Sequence, residues 1–200
     1  MEQSFLDRLN ACHAPRNAAD CLLREAQAIT GAPMGNVQCM DWAAGSLAIE
    51  TQVGFGDEFL NFFQKVPLGS GSVCGQALGR REIVSVEDVH ANSACLPYGG
   101  IFARAGVFAV HSVPLITGAD ALVGMVSVHF PKRVLLSAAQ LAALRHAAML
   151  AASRLVSLSA ERQAIATLYS ESVTRVRVAR DAMVRADRLL ERMQASLPGA

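Results

Sequence analysis

From Ser137 the chain runs to Pro198 without a glycine or a proline. Those two residues punctuate turns and helix ends, so a stretch this long without either predicts one uninterrupted helical element. A heptad register fits it. Its a and d positions run from Leu141 and Leu144 through Leu155, Leu158, Ile165, Tyr169, Val176 and Met183 to Met193 and Leu197, broken at Arg162 and Ser172. Roughly 60 residues at 1.5 Å per residue make a helix of about 90 Å, longer than a globular domain needs. Propensity alone does not hold such a helix, which therefore requires a partner. A coiled-coil dimer is the simplest one. The competing arrangement folds the run back at Ser157–Ser159, but no glycine or proline marks a turn there, and the extended form is favoured.

The chain ahead of this run has a different period. The first thirty residues look helical, with a break near Pro15. From Asn17 the apolar positions Ala18, Cys21, Leu22, Ala26 and Ile29 keep helical spacing until Gly31 and Pro33 end it. Asn36–Trp42 and Leu47–Val53 are extended segments joined by Ala43-Ala44-Gly45-Ser46, a hairpin. Asp57–Phe63 is short and amphipathic. The glycine-punctuated loop Pro67-Leu68-Gly69-Ser70-Gly71-Ser72 opens a short helix through Cys74 to Leu78. Ile83–Val86 is a strand, and Asp88–Gly106, with Pro97, Gly99 and Gly100, predicts short helices laid over a sheet.

Val107–Ile116 and Ala121–Phe130 are the longest strands, turned by Thr117-Gly118-Ala119-Asp120. Pairing residue 116 with 121 sorts their faces. Phe108, Val110, Ser112, Met125, Ser127 and His129 share one; Ala109, His111, Val113, Leu115, Leu122, Val126, Val128 and Phe130 share the other. The second is more apolar and should pack on helices. The first is mixed, as the wall of a pocket is.

Composition excludes several function classes. With 200 residues, 52% hydrophobic and 18% charged, the chain is not disordered. A net charge of +1 supplies no global pull toward nucleic acid or anionic lipid. No run of about 18 uncharged apolar residues predicts a membrane span. Met1-Glu2-Gln3-Ser4 lacks the basic, apolar pattern of a signal peptide, so the expected location is cytoplasmic. The five cysteines are odd in number and show no CxxC spacing, which predicts reduced thiols rather than disulfides or zinc. Residues from 137 onward hold nine arginines against five acidic residues, a basic tail. Interleaved Asp181, Asp187 and Glu191 favour a solvated coiled-coil exterior over a nucleic-acid contact.

The order helix, hairpin, glycine loop, irregular crossover, hairpin, return helix resembles the GAF domain, a small-molecule sensing module. The resemblance rests on Ile29-Thr30-Gly31-Ala32-Pro33-Met34-Gly35-Asn36-Val37-Gln38, on Val53-Gly54-Phe55 and the Phe-rich stretch, and on Gly71-Ser72-Val73-Cys74-Gly75. It continues through Val84-Ser85-Val86-Glu87-Asp88-Val89, Ala105-Gly106-Val107, His111-Ser112-Val113-Pro114-Leu115 and Gly124-Met125-Val126-Ser127-Val128-His129-Phe130. It implies an α+β fold with a central antiparallel sheet of five or six strands. Helices from both chain ends would cover one face, and an irregular crossover would close a ligand cavity over the other. It divides the chain into a helical segment 1–16, a sensor domain 17–157 and a heptad-patterned extension 158–200. It implies a small-molecule ligand, a homodimer through the terminal helix, and relay of occupancy to a downstream effector domain or protein. No catalytic activity, cofactor or metal site is specified.

The candidate ligand-binding residues are Cys74, Tyr98, Phe102, Phe108, Ser112, Ser127 and His129. Ser112, Ser127 and Tyr98 are the polar groups expected to point into the cavity. Cys74 follows the glycine loop at a helix start, where the helix dipole would lower its pKa; a small buried hydrophobe is the plainer role. His129 is a ligand contact or a satisfied sheet histidine. It lies on the opposite face from His111, which disfavours a shared metal. Members of this fold that are free-methionine-sulfoxide reductases suggest the alternative of a thiol redox sensor or enzyme through Cys74 and Cys39. A bilin attachment at Cys95 is disfavoured, because Leu96 stands where such members carry histidine. A third alternative is an adaptor with a filled pocket.

Overall fold

The computed structural model describes residues 4–67 and 70–195. Met1–Gln3, Leu68 and Gly69 of the glycine loop, and Leu197 with the Leu-Pro-Gly-Ala end therefore lie outside the described residues, as do the side chains of the seam positions Arg162, Ala186, Leu190 and Met193. The chain forms two compact units, residues 1–158 and 159–200.

In the first unit α1 (Phe5–Asn10) leads through Pro15, at the first turn of α2 (Pro15–Thr30), where its missing N–H costs nothing. Gly31 ends α2 with φ of 72°, a left-handed cap that glycine adopts without penalty. β1 (Met34–Asp41) and β2 (Ser46–Val53) form the first hairpin. After α3 (Asp57–Phe62) come β3 (Lys65–Pro67), α4 (Val73–Arg80) and β4 (Val84–Val86). The crossover is a 3-10 turn over Ser93–Tyr98 followed by α5 (Gly99–Arg104). β5 (Ala109–Ile116) and β6 (Leu122–Phe130) precede α6 (Ala138–Ala195).

The six strands form one sheet in the order β3-β2-β1-β6-β5-β4, with every neighbouring pair antiparallel. The β5–β6 register differs from the sequence expectation. Ile116 pairs with Leu122, and after a bulge Leu115 pairs with Gly124 and Val110 with His129. The body of the hairpin is thus displaced by two residues, which preserves the face of each side chain because the strand period is two. Leu122 is the exception: it lies beyond the bulge and packs with the cavity-side cluster instead of the helix side. Gly124 is required at its place, because a Cβ there would sit 2.2 Å from the carbonyl oxygen of Gln38 on β1.

α2 and the first part of α6 cover one face. Leu22, Ala26, Leu144, Ala148 and Leu155 meet Val113, Leu115, Val126 and Val128 in an aliphatic, small-residue core. Gln140 Nε2 donates to the Ile29 carbonyl at 3.1 Å, and Arg154 donates to the Cys12 carbonyl at 2.6 Å, so both ends of this layer are tied. Here the heptad expectation needs correction. Leu144, Ala148, Ala151, Leu155 and Leu158 are buried against their own domain, so a core-facing helix stripe produced the periodicity that a coiled-coil seam also produces. Among the described residues α6 also contains a segment that reaches, at mean hydropathy 1.2, the length and composition of a membrane span, when up to two charged residues are allowed in the window. Its apolar residues include this buried stripe.

In the second unit, the described part of the helix exposes Ile165, Leu168, Tyr169, Val173, Val176, Val178, Met183 and Val184. Ile165, Tyr169, Val176 and Met183 occupy the predicted seam; the other four fall beside it.

Candidate functional site

The opposite face of the sheet carries polar groups that the register gathers into one transverse row. Asn36 pairs with Ser127, and Ser127 pairs with Ser112, so β1, β6 and β5 each contribute one polar side chain at the same height. The two serine hydroxyls lie 2.8 Å apart, so one donates to the other. Asn36 has no such relief. It is 4% exposed and its Oδ1 has no partner. In the flanking rows, Met34, His129 and Val110 align on one side, and Gln38 aligns with Met125 on the other.

Aromatic side chains from α3, the segment before it and α5 close over this row. Phe55 stacks on Phe59 with centroids 4.0 Å apart, Phe59 tilts against Phe63 at 4.7 Å, and Phe63 stacks on Phe102 at 5.9 Å. Phe55 and Phe59 each meet the His129 ring edge-on, at 4.9 and 5.9 Å. Such edge contacts suit aromatic quadrupoles. The third wall is the N-terminus of α4. Ser72 caps it, accepting from the Gly75 N–H at 3.2 Å, and its hydroxyl lies 3.3 Å from the Cys74 thiol.

These elements enclose a cavity of about 20 Å³, lined by Asn36, Gln38, Phe59, Phe63, Ser72, Val73, Cys74, Phe102, Val110, Ser112, Ser127 and His129. That is room for about one water. No lining residue is acidic or basic in its ordinary state at neutral pH except His129, and burial, with a smaller contribution from His111, lowers the pKa of His129 to about 3. The imidazole is therefore neutral, and its Nδ1 has no partner. Burial likewise raises the Cys74 thiol pKa, only partly opposed by the Ser72 hydrogen bond and backbone N–H groups. The predicted lowering by the helix dipole is overturned, because removing a thiolate from water outweighs one short helix terminus. Cys39 is pushed up to about 12 by burial and by Glu50.

The structure places Cys74, Phe102, Ser112, Ser127 and His129 together in the wall. Tyr98 and Phe108 stand outside it. Tyr98 packs behind Phe63 and Phe102, in the second layer of the aromatic cover, and Phe108 lies one residue before β5 against the His90 ring. His111 is on the helix side, as expected, with Nε2 3.1 Å from the Val134 carbonyl. Asn36, Gln38, Ser72 and Val73 were not anticipated. Asn36 and Gln38 alternate with Val37 and Cys39, a period-two polar signal, but their value depends on β1 lying beside β6, which local sequence does not specify. Among the described residues no group of three or more metal-ligating side chains occurs.

A family model, the GAF domain, matches residues 12–156. No curated protein matches the chain. Among solved structures it is similar to the GAF domain of a phosphoenolpyruvate-protein phosphotransferase from Coxiella burnetii, at TM-score 0.67 and 15% identity, covering 80% of this chain and 92% of that one. It is also similar to a free methionine-R-sulfoxide reductase from Neisseria meningitidis, at TM-score 0.62 and 18% identity, covering 80% and 87%. A third is a bacteriophytochrome from R. palustris, at TM-score 0.62 and 14% identity, covering 84% of this chain and 40% of that one. At these identities the likeness is one of fold.

Proposed function

We propose, from the premise that the chain belongs to the GAF domain family, that it is a non-enzymatic, cytoplasmic sensory module. It binds a small molecule in the cavity between the sheet and the aromatic cover and relays occupancy through α6 as a homodimer. The observation that carries this reading is the buried Asn36 side chain, which lines the cavity and whose Oδ1 has no partner. A polar group left so costs about 1–3 kcal/mol unless something binds it. The relay has a short path. His129 lies in the cavity wall, and the next residue, Phe130, packs in the helix-side core with Leu144 and Leu155 of α6. The dimer is supported by the exposed apolar residues of the described part of unit two, which a second copy would cover. A downstream effector domain or protein would read the helix.

Native mass spectrometry of the full chain, before and after mild denaturation, tests this. A dimer carrying an extra small mass is expected. A monomer removes the relay, and a dimer of unchanged affinity after deletion of 160–200 removes the helix from it.

A thiol-redox reading is favoured by one observation, the Cys74 thiol in the cavity wall beside Ser72. Methionine sulfoxide reduction that disappears in Cys74→Ser would support it. The raised pKa of that thiol weighs against it.

A further inference from the structure

We propose that the cavity recognises an uncharged, flat amide or lactam of about one ring, and discriminates against anions, cations and zwitterions. This rests on the ligand-sensing reading above and names the chemical class that reading leaves open.

Charge is the first discriminator. Neither the sheet wall nor the aromatic cover presents an acidic or basic side chain to the cavity. The two ionisable groups that do face it, Cys74 and His129, are both held in their neutral forms by burial. An ion entering here would exchange its hydration for phenylalanine rings and hydroxyl dipoles, a cost of several kcal/mol that no counter-charge returns. A zwitterionic amino acid meets that cost twice.

The second discriminator is the buried amide of Asn36. A side-chain amide offers an acceptor and a donor side by side, and a primary amide or lactam offers the same pair in complementary order. The match survives rotation of the Asn36 amide by half a turn, so it does not depend on which atom of that group is oxygen. The Asn36 Oδ1 has no partner among the described residues, and the amide as a whole is the group the wall offers to a ligand. His129, one row away on β6, also lines the cavity. The Ser112–Ser127 pair uses one of its two hydroxyl hydrogens internally.

Shape is the third. Phe59, Phe63 and Phe102 present rings rather than aliphatic bulk, which favours a flat ligand. As it stands the cavity holds about one water and no ring. Admitting a ring therefore requires the cover to turn outward, which is part of the proposal. α3 and α5, which carry these phenylalanines, are joined at the surface by the Arg104–Glu58 ion pair, 2.7 Å long and exposed on both sides. That is a weak latch.

The test uses the full chain and isosteres differing in charge: benzamide, benzoate and benzamidinium, with methionine sulfoxide as a zwitterion. Binding is measured by titration calorimetry at neutral pH, alongside native mass spectrometry for a co-purified molecule. Benzamide is expected to bind at least tenfold tighter than the other three. Asn36→Leu, checked for an unaltered thermal transition, is expected to weaken it at least tenfold. In Asn36→Asp the preference should turn toward benzamidinium, a reversal that mere loss of packing does not produce. Equal or tighter binding of benzoate, benzamidinium or methionine sulfoxide to the unaltered chain overturns the class and leaves the sensor reading standing. Should none of the four bind, the co-purified molecule decides: a neutral amide or lactam supports the proposal, and any other mass overturns it. No binding and no co-purified mass overturn the proposed class, while an apo dimer leaves the sensor reading standing.

Discussion

The two faces of the sheet are built from the same strands, alternate residues apart, and do different work. On the helix side Val113, Val126 and Val128 meet Leu22, Leu144 and Leu155 with almost no polar atom. On the cavity side the intervening residues Ser112, Ser127 and His129 lie with Asn36 under phenylalanine rings. The helix side contributes stability through close aliphatic packing. The cavity side instead gathers its buried polar groups around a void that stays open. Alternation along a strand is what allows both within one layer.

The sharpest way to break that comparison is to damage each face. Leu144→Ala, at a fully buried helix-side position, is expected to cost about 3–5 kcal/mol in denaturant unfolding, because the layer is tied at both ends and cannot collapse. A loss below about 1 kcal/mol would mean that this face is not the stabilising one. On the cavity side Ser127→Ala should cost about 1–3 kcal/mol, since it leaves the Ser112 hydroxyl buried and unpaired, while the Ser112→Ala, Ser127→Ala double variant should recover most of it. Equal losses in the single and double variants would show that the pair is not one unit.

Acid is the next probe. Folding lowers the pKa of His129 from 6.5 to about 3, and lowers that of His111 as well. The unfolded chain therefore binds more protons over that interval, so stability is fully present above about pH 6.5 and is lost as pH falls toward 3. His129 contributes a slope of up to about 1.4 kcal/mol per pH unit inside the interval, and His111 acts in the same direction. His129→Gln should reduce the slope without abolishing it, because His111 on the other face remains. An unchanged pH profile in that variant would place a solvated, ordinary histidine at 129. The smallest effect belongs to the cover: Glu58→Gln should change stability by no more than about 0.5 kcal/mol, the pair being exposed. It should nevertheless speed benzamide association in stopped-flow, and an unchanged rate would remove the latch.

Much of the fold was legible. The helix spacing ending at Gly31, the hairpins and the faces of β5 and β6 follow from local periodicity and turn chemistry, which tertiary contacts here reinforce. The displaced register shows the limit. A bulge between Leu115 and Ile116 is set by how the two strands twist together, and nothing local distinguishes pairing 116 with 121 from pairing it with 122. The site was legible in part for the same reason. Ser112, Ser127 and His129 share a face by alternation alone, whereas Asn36 joins them because β1 lies beside β6, a contact roughly 90 residues apart in sequence that closing the sheet establishes. Tyr98 and Phe108 were placed one layer too far inward because the crossover has no period to count by.

α6 separates the two kinds of knowledge most cleanly. The sequence by itself determined the one helix seen over Ala138–Ala195, because glycine and proline are the residues that interrupt helices and neither occurs between Ser137 and Pro198. It determined the apolar stripe as well. Only the tertiary structure decided what the stripe touches. Leu144 to Leu158 pack on the sheet of their own domain, while Ile165 to Met183 remain exposed, and a repeat of three and four residues is identical in both cases. Periodicity records which side of a helix avoids water; the partner that keeps water away is chosen by the rest of the fold.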